Sequence, residues 1–278
     1  MSISIQTNVS SIVAQDNLRV NNDFQNRTIQ RLTSGFRINS SGDDAAGLAI
    51  ANAFRSSTAE LTQGVRNAND GISTLQIIDG GLNNISKILD RLKTLATQAA
   101  SETFTGNRAT LDAEYSKLTA EIDRQAANIG LVSGGSNNTA TDVYIGGGSS
   151  TTNSQVTIDL SGATNQVDKT GLGLTLAAGA TLDTAAHAVT ALGQIATAVS
   201  RLGDVQGVVG AGQNQLQYAT NLAQAQIASF SAAESRIRDA DVASEAANLT
   251  KAQVLGQASL AALAQANVAP QQVLALLK

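Results

Sequence analysis

Between Leu61 and Ala99 the apolar residues fall at Leu61, Val65, Ala68, Ile72, Leu75, Ile78, Leu82, Ile85, Leu89, Leu92, Leu95 and Ala99. Steps of three and four alternate along the run, so all of these side chains share one face of an α-helix. If continuous, the run spans about 58 Å at 1.5 Å per residue. Its weak point is Gly80-Gly81, because each glycine costs about 1 kcal/mol relative to alanine in a helix interior. A break, if there is one, falls there. A second amphipathic stretch from about Arg108 to Asn128 carries Leu111, Tyr115, Leu118, Ile122 and Ala126 on one stripe, continued by Ile129. The connection SETFTGN is short, which predicts an antiparallel helix pair.

After Leu131 the chain turns rich in Gly, Ser, Thr and Asn, with Val156, Ile158 and Leu160 alternating. Period-two runs bounded by turn residues are strand signals, so short β-hairpins are expected at VYIGG and QVTIDL. Helical spacing returns at Val189, Leu192, Ile195, Val199 and Leu202, weakens at Val209, and resumes through Leu216, Ala223, Ile227 and Phe230. The intervening GDVQGVVGAG is a poor isolated helix that tertiary packing would have to hold.

The two ends are helical and apolar on two sides. At 100° per residue, Ile5, Val9, Ile12, Val13, Val20 and Phe24 fall on one side of the first helix, and Ala14, Leu18, Ile29 and Leu32 on the other. In the last stretch Val242, Ala246, Leu249, Leu260 and Leu263 share a stripe while Val254 and Leu255 point elsewhere. Many alanines there permit close helix approach. One face of each terminal helix can meet the other terminus, and the second face then requires another molecule. Both ends are therefore expected to fold on assembly. Leu263→Asp is expected to prevent that assembly, because it places a charge in a desolvated helix contact.

Composition narrows the function classes. Charged residues are 14% of the 278-residue chain, against about 25% in an ordinary soluble domain. Helices with so few charges expose much Ala, Gln and Leu, and such faces usually have partners. The formal charge is −4 and no basic run occurs, so the electrostatic footprint of a nucleic-acid binder is missing. No window approaches 18 uninterrupted apolar residues, so no span of a membrane is expected. The start MSISIQTNVSS lacks the basic and apolar regions of a cleavable signal peptide. With no cysteine, disulfide and thiolate-metal chemistry are removed together.

Sites that could carry catalysis are thin. Asp43 and Asp44 could form an acid/base pair, but such a pair needs an apolar pocket to separate its pKa values. Their neighbours are Ser40, Ser41, Gly42 and Ala45. A helix N-cap with a second acid in the first turn explains both. His187 is the single histidine and lies in the Ala-rich AAHAV with no acid nearer than Asp183. It is read as a surface or packed helix position. No HExxH occurs, and one histidine without cysteine offers poor zinc ligands. GVVGAG at 207–212 lacks the lysine and spacing of a phosphate loop.

The stretch QRLTSGFRINSSGDDAAGLAIANAF resembles the N-terminal signature of bacterial flagellins. The tail ESRIRDADVASEAANLTKAQVLGQASLAALAQANVAPQQVLALLK is similar to the flagellin C-terminus. Together they cover roughly residues 1–130 and 190–278. The fold class implied is mainly α, a long-helix coiled-coil bundle with a small β-hairpin region. The resemblance implies a terminal coiled coil (D0) from 1–42 and 239–278, and a helical bundle (D1) from 43–238 with hairpins at about 131–180. It assigns Arg31, Leu32, Gly35, Arg37, Asn39, Asp43, Asp44 and Gly47 to the joint, or spoke, at about 31–44, with Gly35 and Gly42 turning the backbone. The coiled coil is expected to use Ile5, Val9, Ile12, Leu18, Leu249, Leu260 and Leu263.

The function so implied is that of a structural subunit of the flagellar filament, exported unfolded through the flagellar type III channel and added at the distal tip. The implied partners are other flagellin subunits, the filament cap, hook-junction proteins and an export chaperone, with no cofactor, metal, nucleic acid or membrane. Toll-like receptor 5 is a further implied partner. The family's receptor motif resembles Arg91 and Leu95, supported by Glu114, with Thr94 standing where receptor-activating members usually have Glu. The competing readings are a hook–filament junction protein, which shares the terminal helices, and a helical enzyme built around Asp43, Asp44 and His187.

Overall fold

The structure, a computed structural model, describes residues 7–147, 151–174 and 182–276. Its elements are α1 (Val9–Ser34), α2 (Ala45–Ala100), α3 (Arg108–Asn128), β1 (Ala140–Tyr144), the single turn α4 (Thr151–Ser154), β2 (Gln155–Asp159), a 3₁₀ turn (Ala163–Asn165), α5 (Ala185–Arg238) and α6 (Val242–Leu276). They belong to two compact units, one of Met1–Ser56 with Ser229–Lys278 and one of Ser57–Ala228.

The Ser57–Ala228 unit is built on the spacing that dominates the sequence. Leu61, Ala68, Leu75, Ile78, Leu82, Ile85, Leu89, Leu92, Leu95 and Ala99 are all buried on α2. The helix runs through Gly80-Gly81 without a break. The two glycines differ in cause: a Cβ at Gly80 would meet nothing within 4 Å, whereas one at Gly81 would overlap Ile129 Cγ2 at the end of α3. Tertiary contact with α3 thus requires one glycine, and the long helix tolerates both.

Asn107 caps α3, its side chain accepting the Ala109 N–H at 2.9 Å. Arg108 then donates to the Ala99 and Ser101 carbonyls at 3.0 and 2.9 Å, closing the C-terminal end of α2. Gly81 against Ile129 and Arg91 against Glu114 fix α2 and α3 as antiparallel. The strands form one antiparallel hairpin, with Val143 paired to Val156 and Thr141 to Ile158. Val143 and Ile158 are buried.

On α5 the buried residues are Ala188, Ala191, Ile195, Ala198, Leu202, Val205, Val209, Gly212, Leu216, Thr220 and Ala223. This repeats steps of three and four through the glycine-rich middle, so packing holds the stretch that propensity would not. The expected stripe through Val189 and Val199 is displaced: Val189 is 59% exposed and Val199 44%. Alanines one position earlier take the inner face, where small side chains allow close helix approach.

Candidate functional site

The sequence element quoted above as a joint folds as one. Helix α1 ends at Gly35, whose φ of 75° and ψ of 2° place it in the left-handed region that favours glycine. Its N–H donates to the Arg31 carbonyl at 2.9 Å, and its own carbonyl accepts the Ala240 N–H at 2.9 Å. Phe36 and Asp239 form an antiparallel bridge, and the Arg37 N–H reaches the Arg238 carbonyl at 2.6 Å. Arg37 Nη2 donates to the Ile237 carbonyl at 2.8 Å, while the Arg238 guanidinium lies 4.1 Å from the centroid of the Phe36 ring. The chain leaving α1 and the chain entering α6 are thereby held side by side. Asn39 Nδ2 donates to Ser34 Oγ at 2.8 Å and closes the loop back on α1.

Each of the two acids has its own backbone partners here. Asp43 Oδ2 accepts from Ser40 N at 2.9 Å, Ser40 Oγ at 3.0 Å and Asn39 N at 3.2 Å. These bonds, the Ser40 N–H foremost, hold its carboxyl below the usual range, with Arg31 adding a favourable charge. Asp44 Oδ1 accepts the Gly47 N–H at 2.9 Å and is the N-cap of α2. The expectation of a second acid inside the first turn is corrected: that turn holds none, because the cap is the second acid and the first closes the loop before it. Gly47 is required by close approach, since a Cβ there would overlap Asp44 Oδ2 and lie 2.9 Å from Cδ1 of the buried Ile38. The turn falls on Gly35; Gly42 is not among the positive-φ glycines of the described residues.

From this joint α1 and α6 run antiparallel. Asn8 Nδ2 donates to the Ala266 carbonyl at 2.8 Å, Ser11 Oγ to Asn267 Oδ1 at 2.8 Å, and Asn21 Nδ2 to the Ala252 carbonyl at 3.1 Å. Arg31 Nη1 stands 3.2 Å from Glu245 Oε1. The buried residues of this seam are Ser11, Asn21, Thr28, Glu245 and Ala252. Leu18, Leu32, Leu249 and Leu263 are half-buried. Val9 and Ile12 stand outward at 62% and 56% exposed, and Leu260 at 61%. These three were expected in the contact between the termini, but small and polar residues occupy that face, and the larger apolar side chains lie on the others. Val13, Val20, Val242, Val254 and Leu255 are exposed with them. Ile5 lies outside the described residues.

The last group of expected residues is split. Arg91 and Glu114 pair across α2 and α3 at 2.6 Å with both side chains partly exposed. Leu95 is 2% exposed and belongs to the core. Thr94 Oγ1 donates to the Arg91 carbonyl at 2.7 Å. His187 Nδ1 lies 2.6 Å from Asp183 Oδ1 on the exposed start of α5. Among the described residues no cluster of three or more His, Cys, Asp or Glu could hold a metal ion, and no helix is long and apolar enough to cross a membrane. The seam residues Asn21 and Glu245 were missed by the sequence reading. On α1, which is polar over most of its surface, nothing in the spacing sets Asn21 apart from Asn17, Asn22 or Asn26.

Residues 5–130 match the family model described as the bacterial flagellin N-terminal helical region, and residues 192–277 the bacterial flagellin C-terminal helical region. The flagellin of Halalkalibacterium halodurans is 35% identical over 282 residues, covering 99% of each chain. The flagellin of Bacillus subtilis is 35% identical over 303 residues, again covering 99% of each. The flagellar filament 33 kDa core protein of Treponema phagedenis is 32% identical over 286 residues at the same coverage.

Proposed function

The chain belongs to the bacterial flagellins, structural subunits of the extracellular flagellar filament, and from that premise we propose that the outward faces of α1 and α6 are the surface through which its copies join. One observation carries this: the large apolar residues of both helices, Val9, Ile12, Val13 and Val20 on one and Val254, Leu255 and Leu260 on the other, stand in solvent around a polar seam. Fully burying a Val, Leu or Ile side chain is worth about 1.5–3 kcal/mol. Several such residues per copy supply a driving force for association. A contact between different patches on successive copies does not close on itself and propagates a helical filament.

In this reading residues 1–42 and 239–278 form the terminal coiled coil, D0, and residues 43–238 the helical bundle, D1. The joint at about 31–44, with Arg31, Leu32, Gly35, Arg37, Asn39, Asp43, Asp44 and Gly47, connects them. Export of the unfolded chain through the flagellar type III channel fits a sequence with no cysteine, one proline and 3% aromatics. A cap at the growing tip and hook-junction proteins at the base meet the same terminal helices, and an export chaperone covers their apolar faces before assembly. Toll-like receptor 5 is engaged through the exposed Arg91–Glu114 pair, with Leu95 acting as the packing beneath it.

The test is elongation of filament seeds by the purified chain, followed by sedimentation and electron microscopy. The parent elongates seeds. Val20→Asp puts a charge into the outward face and raises the critical concentration about tenfold or more, the equivalent of about 1.4 kcal/mol per copy. A parent that leaves seeds unchanged sinks the assembly reading. Normal elongation by Val20→Asp removes this face from the contact.

A further inference from the structure

The joint is held by little backbone. Phe36 and Asp239 form an isolated bridge, crossed among the described residues by the Arg37 N–H to the Arg238 carbonyl at 2.6 Å and the Ala240 N–H to the Gly35 carbonyl at 2.9 Å. Even a complete two-stranded hairpin is marginal in water, so side chains must hold a pairing this short. Two arginines cross it in opposite directions. From the chain leaving α1, Arg37 Nη2 donates to the Ile237 carbonyl at 2.8 Å. From the last residue of α5, the Arg238 guanidinium lies 4.1 Å from the centroid of the Phe36 ring. The Arg238 side chain is 17% exposed, and its Nε is buried with no acceptor among the described residues. Its Nη1 stands 3.8 Å from Glu234 Oε1, beyond hydrogen-bond length. A buried N–H left without an acceptor is unfavourable, so what favours this placement is the face of the guanidinium on the ring rather than bonds at its edge.

We propose that Phe36 and Arg238 are a positioning pair that sets the register of the joint, through stacking rather than through the charge of Arg238. Neither was among the residues assigned to the joint from the sequence. A slip of one residue at the bridge turns each side chain to the opposite side. The stack resists this because ring and guanidinium have to meet face to face, which a shifted pairing does not allow. Helix α6 begins at Val242, shortly past Asp239, so the register of the bridge passes directly into the start of that helix. A copy with a slipped joint would offer α6 out of step with its neighbours. That consequence rests on the assembly reading above; the positioning of the joint by the stack does not.

The full chain and its variants are grown on filament seeds, and hydrogen exchange is followed in the segments 36–38 and 239–241. Phe36→Leu keeps an apolar side chain without the ring, and Arg238→Lys keeps the charge without the planar group. Each is expected to exchange about three- to tenfold faster than the parent, the scale of one partly exposed cation–π contact. The two together are expected to exchange no faster than either alone. Phe36→Tyr keeps the ring and is expected to exchange at the parent's rate, as is Glu234→Gln. The inference is overturned by Phe36→Leu at the parent's rate, by effects of the two substitutions that multiply, or by Phe36→Tyr as loose as Phe36→Leu. Glu234→Gln matching Arg238→Lys also overturns it, because Arg238 would then act by its charge. A variant that fails to elongate is compared with the parent unassembled. If the parent itself fails to elongate seeds, the assembly reading fails, and the same variants compared unassembled decide the role of the stack. In that comparison a parent whose two segments are unprotected overturns the inference.

Discussion

Arg31 on α1 and Glu245 on α6 form an ion pair of 3.2 Å across the seam, with the Glu245 side chain 10% exposed and that of Arg31 31%. The asymmetry sets which substitution costs more. Arg31→Ala leaves a buried carboxylate without its cation, which costs about 1–3 kcal/mol once the partial exposure of the arginine is allowed for. Glu245→Gln leaves a partly exposed arginine that water can solvate, and costs less. Filaments of Arg31→Ala are expected to dissociate at a lower temperature than filaments of Glu245→Gln. Equal melting of the two variants would refute the asymmetry, and melting of both at the parent's temperature would show that the pair contributes nothing to holding the seam.

The joint carries a pH dependence through Asp43. Its carboxyl is held below its ordinary value of 3.8 by the Ser40 and Asn39 donors, so the carboxylate is favoured in the folded loop. A depressed folded pKa contributes stability that is present above the unfolded value and lost as pH falls through the folded one. Proteolysis within residues 35–44 by an acid-active protease is therefore expected to increase as pH falls below 3.8. In Asp43→Asn the loop is loosened at neutral pH and its cleavage rises less on acidification. A parent and variant with the same pH profile would take the loop-closing role away from Asp43.

The long helices were legible because steps of three and four sustained over Leu61–Ala99 admit no other element. The hairpin was legible for the same kind of reason, with Val156 and Ile158 alternating between turn residues. The faces of α1 and α6 were not. Reading apolar residues as inward selected Val9, Ile12 and Leu260, but in a chain whose partners are copies of itself that rule applies to the polymer, and the contact within one chain falls to Ser11, Asn21 and Ala252. On α5 the error was one of size: Val189 and Val199 outweigh Ala188 and Ala198 in hydropathy, yet the alanines let the helices approach. Asp43 and Asp44 were assigned to capping without the bonds that decide which acid caps.

The proposed receptor recognition through the Arg91–Glu114 pair makes a charge-specific prediction. Leu95 lies in the core at 2% exposed, so the polar pair is what this surface offers to a partner. Arg91→Ala removes one charged contact, and loss at an interface of this kind runs from a few tenths to about 2 kcal/mol. A reporter cell carrying Toll-like receptor 5 is expected to respond to unassembled parent and to need a severalfold higher dose of Arg91→Ala. Identical dose curves would remove Arg91 from the contact, and silence toward the parent would remove the surface.

The two adjacent glycines of α2 predict stability changes of opposite sign from the same chemical change. Alanine is favoured over glycine in a helix interior by about 1 kcal/mol, partly by restricting the unfolded chain. At Gly80 nothing lies within 4 Å of the added methyl, so Gly80→Ala keeps that gain and stabilises the Ser57–Ala228 unit by about 0.5–1 kcal/mol. At Gly81 the methyl would overlap Ile129 Cγ2. Ile129 is 5% exposed and is followed by Gly130 with φ of 69°, so the side chain has little room to withdraw. Overpacking of this kind costs about 1–3 kcal/mol, which exceeds the helix gain. Gly81→Ala is therefore expected to be destabilising by up to about 2 kcal/mol. With about 2–4 °C per kcal/mol for a unit of this size, thermal unfolding should move up by a few degrees for Gly80→Ala and down for Gly81→Ala. A rise in both would mean that α3 yields at Ile129 and that the α2–α3 approach is looser than the packing of Gly81 implies.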